Sequence, residues 1–243
     1  MTVILISTSY AAYTASDNTW RFYIAPYLWG MNMNGSVQVA NNRAHIDQSF
    51  SDLWHHLDWG GMVWLGAYRD RFGIFGDIVF AALSDTVHDG IYTVKTKNDY
   101  GVYSAAISYR VYQGNKMHVE PYIGFRYTAN ETTVTLNTST IGLKASENQY
   151  WTDPIIGAKL KFTFTPAWYA MLLGDIGGTG KSTHYSYNIA GLVGYHPQTI
   201  LTSTTIYLGY RLLDQFYRTG SGANYYNWNM KLFGPLLGIS IEF

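Results

Sequence analysis

The hydrophobic pattern of this chain repeats every second residue. In Met117–Thr128, one face carries Met117, Val119, Pro121, Ile123, Phe125 and Tyr127, and the other His118, Glu120, Tyr122, Gly124, Arg126 and Thr128. Phe72, Ile74, Ile78 and Phe80 likewise oppose Gly73 and Asp77. Tyr103, Ala105, Ile107 and Tyr109 oppose Ser104, Ser108 and Arg110, while Ile206, Leu208, Tyr210 and Leu212 oppose Thr205, Gly209 and Arg211. Alternate side chains on a strand point to opposite faces, so these segments predict strands with one apolar and one polar face. About ten such strands are expected, starting near residues 20, 58, 72, 91, 116, 147, 167, 183, 199 and 226.

Short turns ("RDRFG", "QGNK", "TPAW", "HPQT") alternate with longer polar connections ("SDTVHDG", "ANETTVTLNTSTIGLKASENQ", "GGTGKST", "DQFYRTGSGANYY"). Tight turns on one side and long loops on the other suit an antiparallel transmembrane β-barrel. A soluble sandwich imposes no such alternation. The stretch 34–48 reads as a further hairpin with Asn41-Asn42 at its tip, which makes about twelve strands if it joins the wall. "SFSDLWHHL" is the one helical candidate, with Ser51 as its cap and Leu53, Trp54 and Leu57 on one side. The apolar faces end in rings (Trp20, Tyr127, Trp151, Trp168, Tyr195 and Tyr210), the placement that membrane interfaces favour. The fold expected is therefore all-β, a single barrel with its apolar face outward.

Composition agrees with this picture. Aromatic residues make up 17% of the 243, charged residues only 13%, and the formal net charge is zero, which removes disorder and gives no electrostatic signal for nucleic acid. No apolar run reaches the length of a membrane helix, and there are no cysteines. Residues 1–15 read as a residual signal peptide or a disordered tail, with Ser9-Tyr10-Ala11 in small-x-small form but no basic n-region; residues 16–243 form the barrel.

Assigning apolar faces outward turns Arg21, Asp77, Arg110, Glu120, Arg126, Asp153, Lys159, Lys161, Asp175, Arg211 and Glu242 into the lumen. Buried charges must be paired or wet. A dry interior would be a network bracing a closed barrel, and a wet one a narrow pore with charged walls. The pattern leaves both open.

Other motifs carry less. "DIGGTGKS" departs from a phosphate-binding loop, since Asp175 occupies the first glycine position and the residues after Ser182 alternate like a strand. His55-His56 point to different faces and lack partners at zinc spacing. His118 with Glu120, and His184 with Ser186, share strand faces but have no surrounding catalytic motif. No catalytic residue, metal ligand or cofactor is expected.

The segments "WRFYIAPYLWGMNMNGSV", "SFSDLWHHLDW", "YRDRFGIFGDIVF", "WTDPIIGAKLKF", "GDIGGTGKS", "LGYRLL" and "GPLLGISIEF" resemble, in this order, a family of uncharacterised Gram-negative outer-membrane β-barrel proteins. The resemblance runs from Trp20 to Phe243. Thr179 and Lys181 depart from it, standing in a loop that is usually more apolar. It implies an outer-membrane location and contact with outer-membrane lipids, lipopolysaccharide and the barrel-assembly machinery, and it carries no activity. The terminal Phe243 resembles the insertion signal that this machinery reads. The function expected is passive passage of small polar solutes through a narrow channel. The alternatives are a non-conducting structural or surface-interaction barrel and, last, an outer-leaflet lipid-modifying enzyme.

Overall fold

A computed structural model describes residues 19–89, 92–137, 142–179, 183–197 and 203–243. The expected tail, residues 1–15, lies outside them. The strands are β1 (Arg21–Trp29), β2 (Asn32–Val39), β3 (Asn42–Gln48), β4 (Leu57–Arg69), β5 (Phe72–Asp89), β6 (Tyr92–Tyr109) and β7 (Tyr112–Gln113). They continue with β8 (Met117–Asn137), β9 (Gly142–Thr163), β10 (Trp168–Gly177), β11 (Thr183–Tyr195), β12 (Thr204–Thr219) and β13 (Tyr226–Glu242). One helix, α1 (Phe50–His55), stands between β3 and β4.

All neighbouring strands are antiparallel, and the wall runs β1-β4-β5-β6-β8-β9-β10-β11-β12-β13 before β13 returns to β1. Ten strands therefore close a ring. Closure satisfies the backbone of every strand from within, the condition for crossing lipid. No helix among the described residues is long and apolar enough to span a membrane. The outer face is apolar: Leu28, Phe125, Ile156, Ile176 and Leu208 are each about 60% exposed, with Ile123, Leu237 and Ile239 close behind. A soluble monomer would not present such a band to water.

The hairpin at 34–48 adds no strand to the ring. Its strand β2 pairs with Tyr226–Phe233, above the segment of β13 that binds β1 through Leu236–Glu242. The change of partner falls at Gly234, where a Cβ would lie 1.9 Å from the Gly30 carbonyl oxygen, so only glycine fits this crossing. β3 then pairs with β2.

Two further expectations need correction. Of the long polar connections, "SDTVHDG" and the stretch 129–149 are largely strand, since β5 reaches Asp89 and β8 and β9 run 21 and 22 residues, staying paired from Met117↔Phe162 up to Asn137↔Gly142. Helix α1 is capped by Ser49 rather than Ser51. Ser49 Oγ accepts from the Asp52 amide at 3.3 Å, and the Asp52 carboxylate accepts from the Ser49 amide at 2.9 Å, a reciprocal capping box. Leu53 turns into the core, whereas Trp54 is exposed and Leu57 already belongs to β4.

Candidate functional site: a lumen closed above and open below

We call the rim bearing Trp20 and Phe243 the lower rim; Phe22 and Phe243 exchange backbone hydrogen bonds there, at 2.8 and 3.0 Å. From this rim upward the lumen has three levels, each set by the inward parity of the strands.

The upper level is aromatic and apolar. Trp151 stacks on Tyr217 at 4.4 Å, Tyr100 stacks on Trp228 at 5.7 Å, and Leu213, Met230 and Leu232 are fully buried beside them. Trp151 thus leaves the outward girdle to which its ring character assigned it; it shares its parity with Asp153, inside. Two hydrogen bonds cross the full diameter. Tyr100 Oη on β6 donates to Gln215 Oε1 on β12 at 3.2 Å, and Asn130 Nδ2 on β8 donates to Tyr226 Oη on β13 at 3.1 Å. In each case the two strands lie five places apart around a ten-strand ring. Gln215 also donates to Thr128 Oγ1 at 2.9 Å, and neither side chain is reached by solvent.

Below this lies a charged layer. Arg126 donates to Asp175 at 2.7 Å and to Ser186 Oγ at 3.0 Å; Tyr122 Oη and Asn188 Nδ2 also donate to Asp175, at 2.9 and 3.0 Å. Arg211 donates to Asn188 Oδ1 at 2.8 Å and pairs with Asp77 at 2.7 Å, while Tyr27 Oη donates to Asp77 at 2.6 Å. Arg211 also lies 4.9 Å over the Trp29 ring. This network joins β1, β5, β8, β10, β11 and β12. Asp153 is fully buried opposite Arg126 in the β8–β9 register.

The lower level is a cavity of about 470 Å³. Its roof includes Asp77, Arg126, Asp175 and Arg211, and its mouth includes Lys161, Thr165, Trp168, His196, Ser240 and Glu242. Glu120 on β8 is held by Lys159, its register partner on β9, and by Arg110 at 3.7 Å. Lys159 donates to Tyr68 Oη at 2.7 Å and sits 3.7 Å over the Phe75 ring. Arg21 and Glu242 face each other at 3.7 Å on the rim. Lys161 lies 4.2 Å over the Tyr169 ring. Rings pack here because glycines make room: a Cβ on Gly157 would lie 2.6 Å from Tyr122.

Of the eleven charges that the sequence assigns to the lumen, nine take part in the ion pairs above, Asp153 is buried opposite Arg126, and Lys161 rests on the Tyr169 ring. Sequence reading missed the inward tyrosines Tyr27 and Tyr68 and the amides Asn188 and Gln215, and gave Tyr122 its inward face but no role. Strict parity with Glu120, Arg126 and Arg211 would have found several of them. It also missed Asp214, which is buried on the outward parity of β12 where Tyr187 Oη donates to it at 2.9 Å.

The remaining motifs resolve structurally. Asp175 of "DIGGTGKS" sits mid-lumen on β10, and the next element is the strand β11, while residues 180–182 lie outside the described residues. His55 and His56 each place Nδ1 against a helix carbonyl, at 2.6 and 2.7 Å. Among the described residues no group of His, Cys, Asp or Glu has metal-binding geometry. His118 is not the partner of Glu120, which Lys159 and Arg110 hold; the His184 side chain lies outside the described residues.

This architecture is that of the outer-membrane β-barrels. The outer-membrane protease OmpT of Escherichia coli superimposes with a TM-score of 0.61 at 9% identity, over 93% of this chain and 97% of that one. The attachment invasion locus protein Ail of Yersinia pestis matches at 0.34 and 10% identity, over 92% and 98%. A Pseudomonas aeruginosa FadL homologue matches at 0.36 and 7% identity, over 92% and 90%. No family model and no curated protein matches the sequence.

Proposed function

We propose that this chain is a non-conducting barrel of the bacterial outer membrane whose lumen is a blind pocket open to the periplasm. The observation that carries this reading is the pair of hydrogen bonds, Tyr100–Gln215 and Asn130–Tyr226, that cross the full diameter inside a dry aromatic layer. The charge ladder that suggests a solute channel is largely engaged below it in short pairs, which favours bracing over permeation. Sidedness follows from the turns: outer-membrane barrels place short connections in the periplasm, and the lower rim carries Asp70, Gln113 and Thr165. The apolar outer band is the surface offered to lipid and lipopolysaccharide. Ser186, the serine paired with His184 in the sequence, is buried in the mid-lumen layer and accepts from Arg126 there, away from the lipid-facing rim that an outer-leaflet enzyme would use.

Two measurements test it. In planar bilayers the purified protein should give no single-channel steps; regular steps would restore the channel. The chain has no cysteine, so single thiols report sidedness cleanly. Ser240→Cys should react with an impermeant maleimide only after the outer membrane is permeabilised, and Ala223→Cys should react in intact cells. The reverse pattern would sink the assignment.

A further inference from the structure

The lumen charges are nearly balanced in number but not in position. The mid-lumen layer holds two bases, Arg126 and Arg211, against three acids, Asp77, Asp153 and Asp175. The lower level holds four bases, Arg21, Arg110, Lys159 and Lys161, against two acids, Glu120 and Glu242. The pocket therefore carries an excess of cation near its mouth, beneath a slightly acidic roof.

Lys161 is the cation that the wall leaves over. Glu120 is divided between Lys159 and Arg110, and Glu242 faces Arg21. Among the described residues Lys161 has no carboxylate within ion-pair distance and rests only on the Tyr169 ring. Its cross-strand neighbour is His118, and both line the cavity with Arg110. Arg110 adds a second unmet demand: its Nε is buried without an acceptor, while Nη2 reaches Glu120 only at 3.7 Å. A desolvated ammonium and guanidinium lacking full counter-charge favour an anion that completes them. The walls around these donors are aromatic, with Tyr23, Trp168, Tyr169 and Tyr207 lining the same space. The volume falls in the range that encloses a small organic ligand.

We infer that this pocket is a binding site for a small organic anion with a flat apolar body, its acid group held by Lys161 and Arg110 and its body by the aromatic wall. The inference rests on the lumen being a blind, periplasm-facing pocket. A carboxylate or sulfonate would sit near the mouth, and the ring system would lie toward Tyr169 and Tyr207. A cationic ligand would meet Lys161 directly, and a bare inorganic anion would leave the aromatic surface unfilled.

The test is isothermal titration of the full chain in a zwitterionic detergent with naphthalene-2-sulfonate, naphthalene-2-methanol and inorganic sulfate. The sulfonate should bind saturably at one site. The neutral alcohol and sulfate should each bind about tenfold more weakly or worse, the scale of one charge-assisted hydrogen bond. Lys161→Gln, at a position with no ion pair to lose, should weaken the sulfonate by about tenfold while the protein keeps its heat-resistant gel mobility. Ser240→Trp, which fills the mouth, should remove the saturable component. Equal binding of sulfonate and alcohol, or wild-type affinity in Lys161→Gln, would overturn the inference. Binding that survives Ser240→Trp would place the probe in the micelle and overturn it too. Single-channel steps would bring down the blind-pocket reading separately, because the titration does not measure permeation.

Discussion

Asp175 shows what the interior asks of a single side chain. It accepts from Arg126, Tyr122 and Asn188 at once, so its carboxylate is nearly saturated while almost wholly removed from solvent. Removing one member of a buried ion pair strands the other charge, at a cost of about 3–5 kcal/mol. Asp175→Ala should lower the unfolding free energy in urea titrations of vesicle-inserted protein by that order. The double variant Arg126→Met/Asp175→Leu should recover part of the loss, because the Arg126 guanidinium is no longer stranded. The positions of such charges were legible in the sequence, since strand alternation assigns a face with no knowledge of neighbours. Their partners were not: Arg126 on β8 reaches past β9 to β10, and Arg211 on β12 meets Asp77 on β5. These are relations of the closed ring, and no local pattern records them. Trp151 was misread for a different reason, because its residue type was weighed above its parity with Asp153.

The elements show where alternation stops being informative. Above the apolar band the outward positions of β8 turn polar (Glu131, Thr133, Thr135 and Asn137), so "ETTVTLN" loses its outward apolar stripe and reads as a loop. Its Thr and Val content keeps it extended and paired nonetheless. The same loss of alternation explains why β9, expected to start near 147, begins at Gly142. Helix α1 gives a pH prediction at this scale. Hydrogen bonds from the Ser49 side chain and backbone hold the Asp52 carboxyl below its usual range. A depressed carboxylate stabilises the helix above its unfolded value, and that stabilisation is lost as pH falls through the folded one. The protection factors of the Leu53–His55 amides, with intrinsic exchange divided out, should therefore fall selectively below about pH 4. Ser49→Ala should leave them low at every pH. Backbone geometry gives a second prediction. Gly234→Val should displace the β2–β3 hairpin, seen as new protease cleavage near Ala40, while β12 and β13 stay protected.

The whole molecule combines two constructions that the chain keeps separate. Below Gly234 the ten-strand ring meets lipid and the ion-pair layer fills its bore; the aromatic layer, with Tyr226, Trp228, Met230 and Leu232 on β13, lies above it. Above it, β2 and β3 extend the wall along β13 alone. Replacing residues 32–48 with a short glycine-serine linker should leave a folded, heat-resistant ring that inserts into vesicles. Failure to insert would mean that the hairpin is needed for closure. The ring and its outward band were legible, because lipid imposes a simple rule on every strand. The contacts across the bore were not, since they depend on side chains that meet only once the ring is closed.

The exchange of partners on β13 has one more consequence. Among the described residues β3 ends the hydrogen-bonded path with one edge unmatched, and upper β5, beyond its pairing with β4, leaves another. Both edges stand on the side away from the turns, past the last closed register. The barrel is thus a sealed hoop topped by a slit collar: the pairings of the hoop close on themselves, while those of the collar end at two open edges.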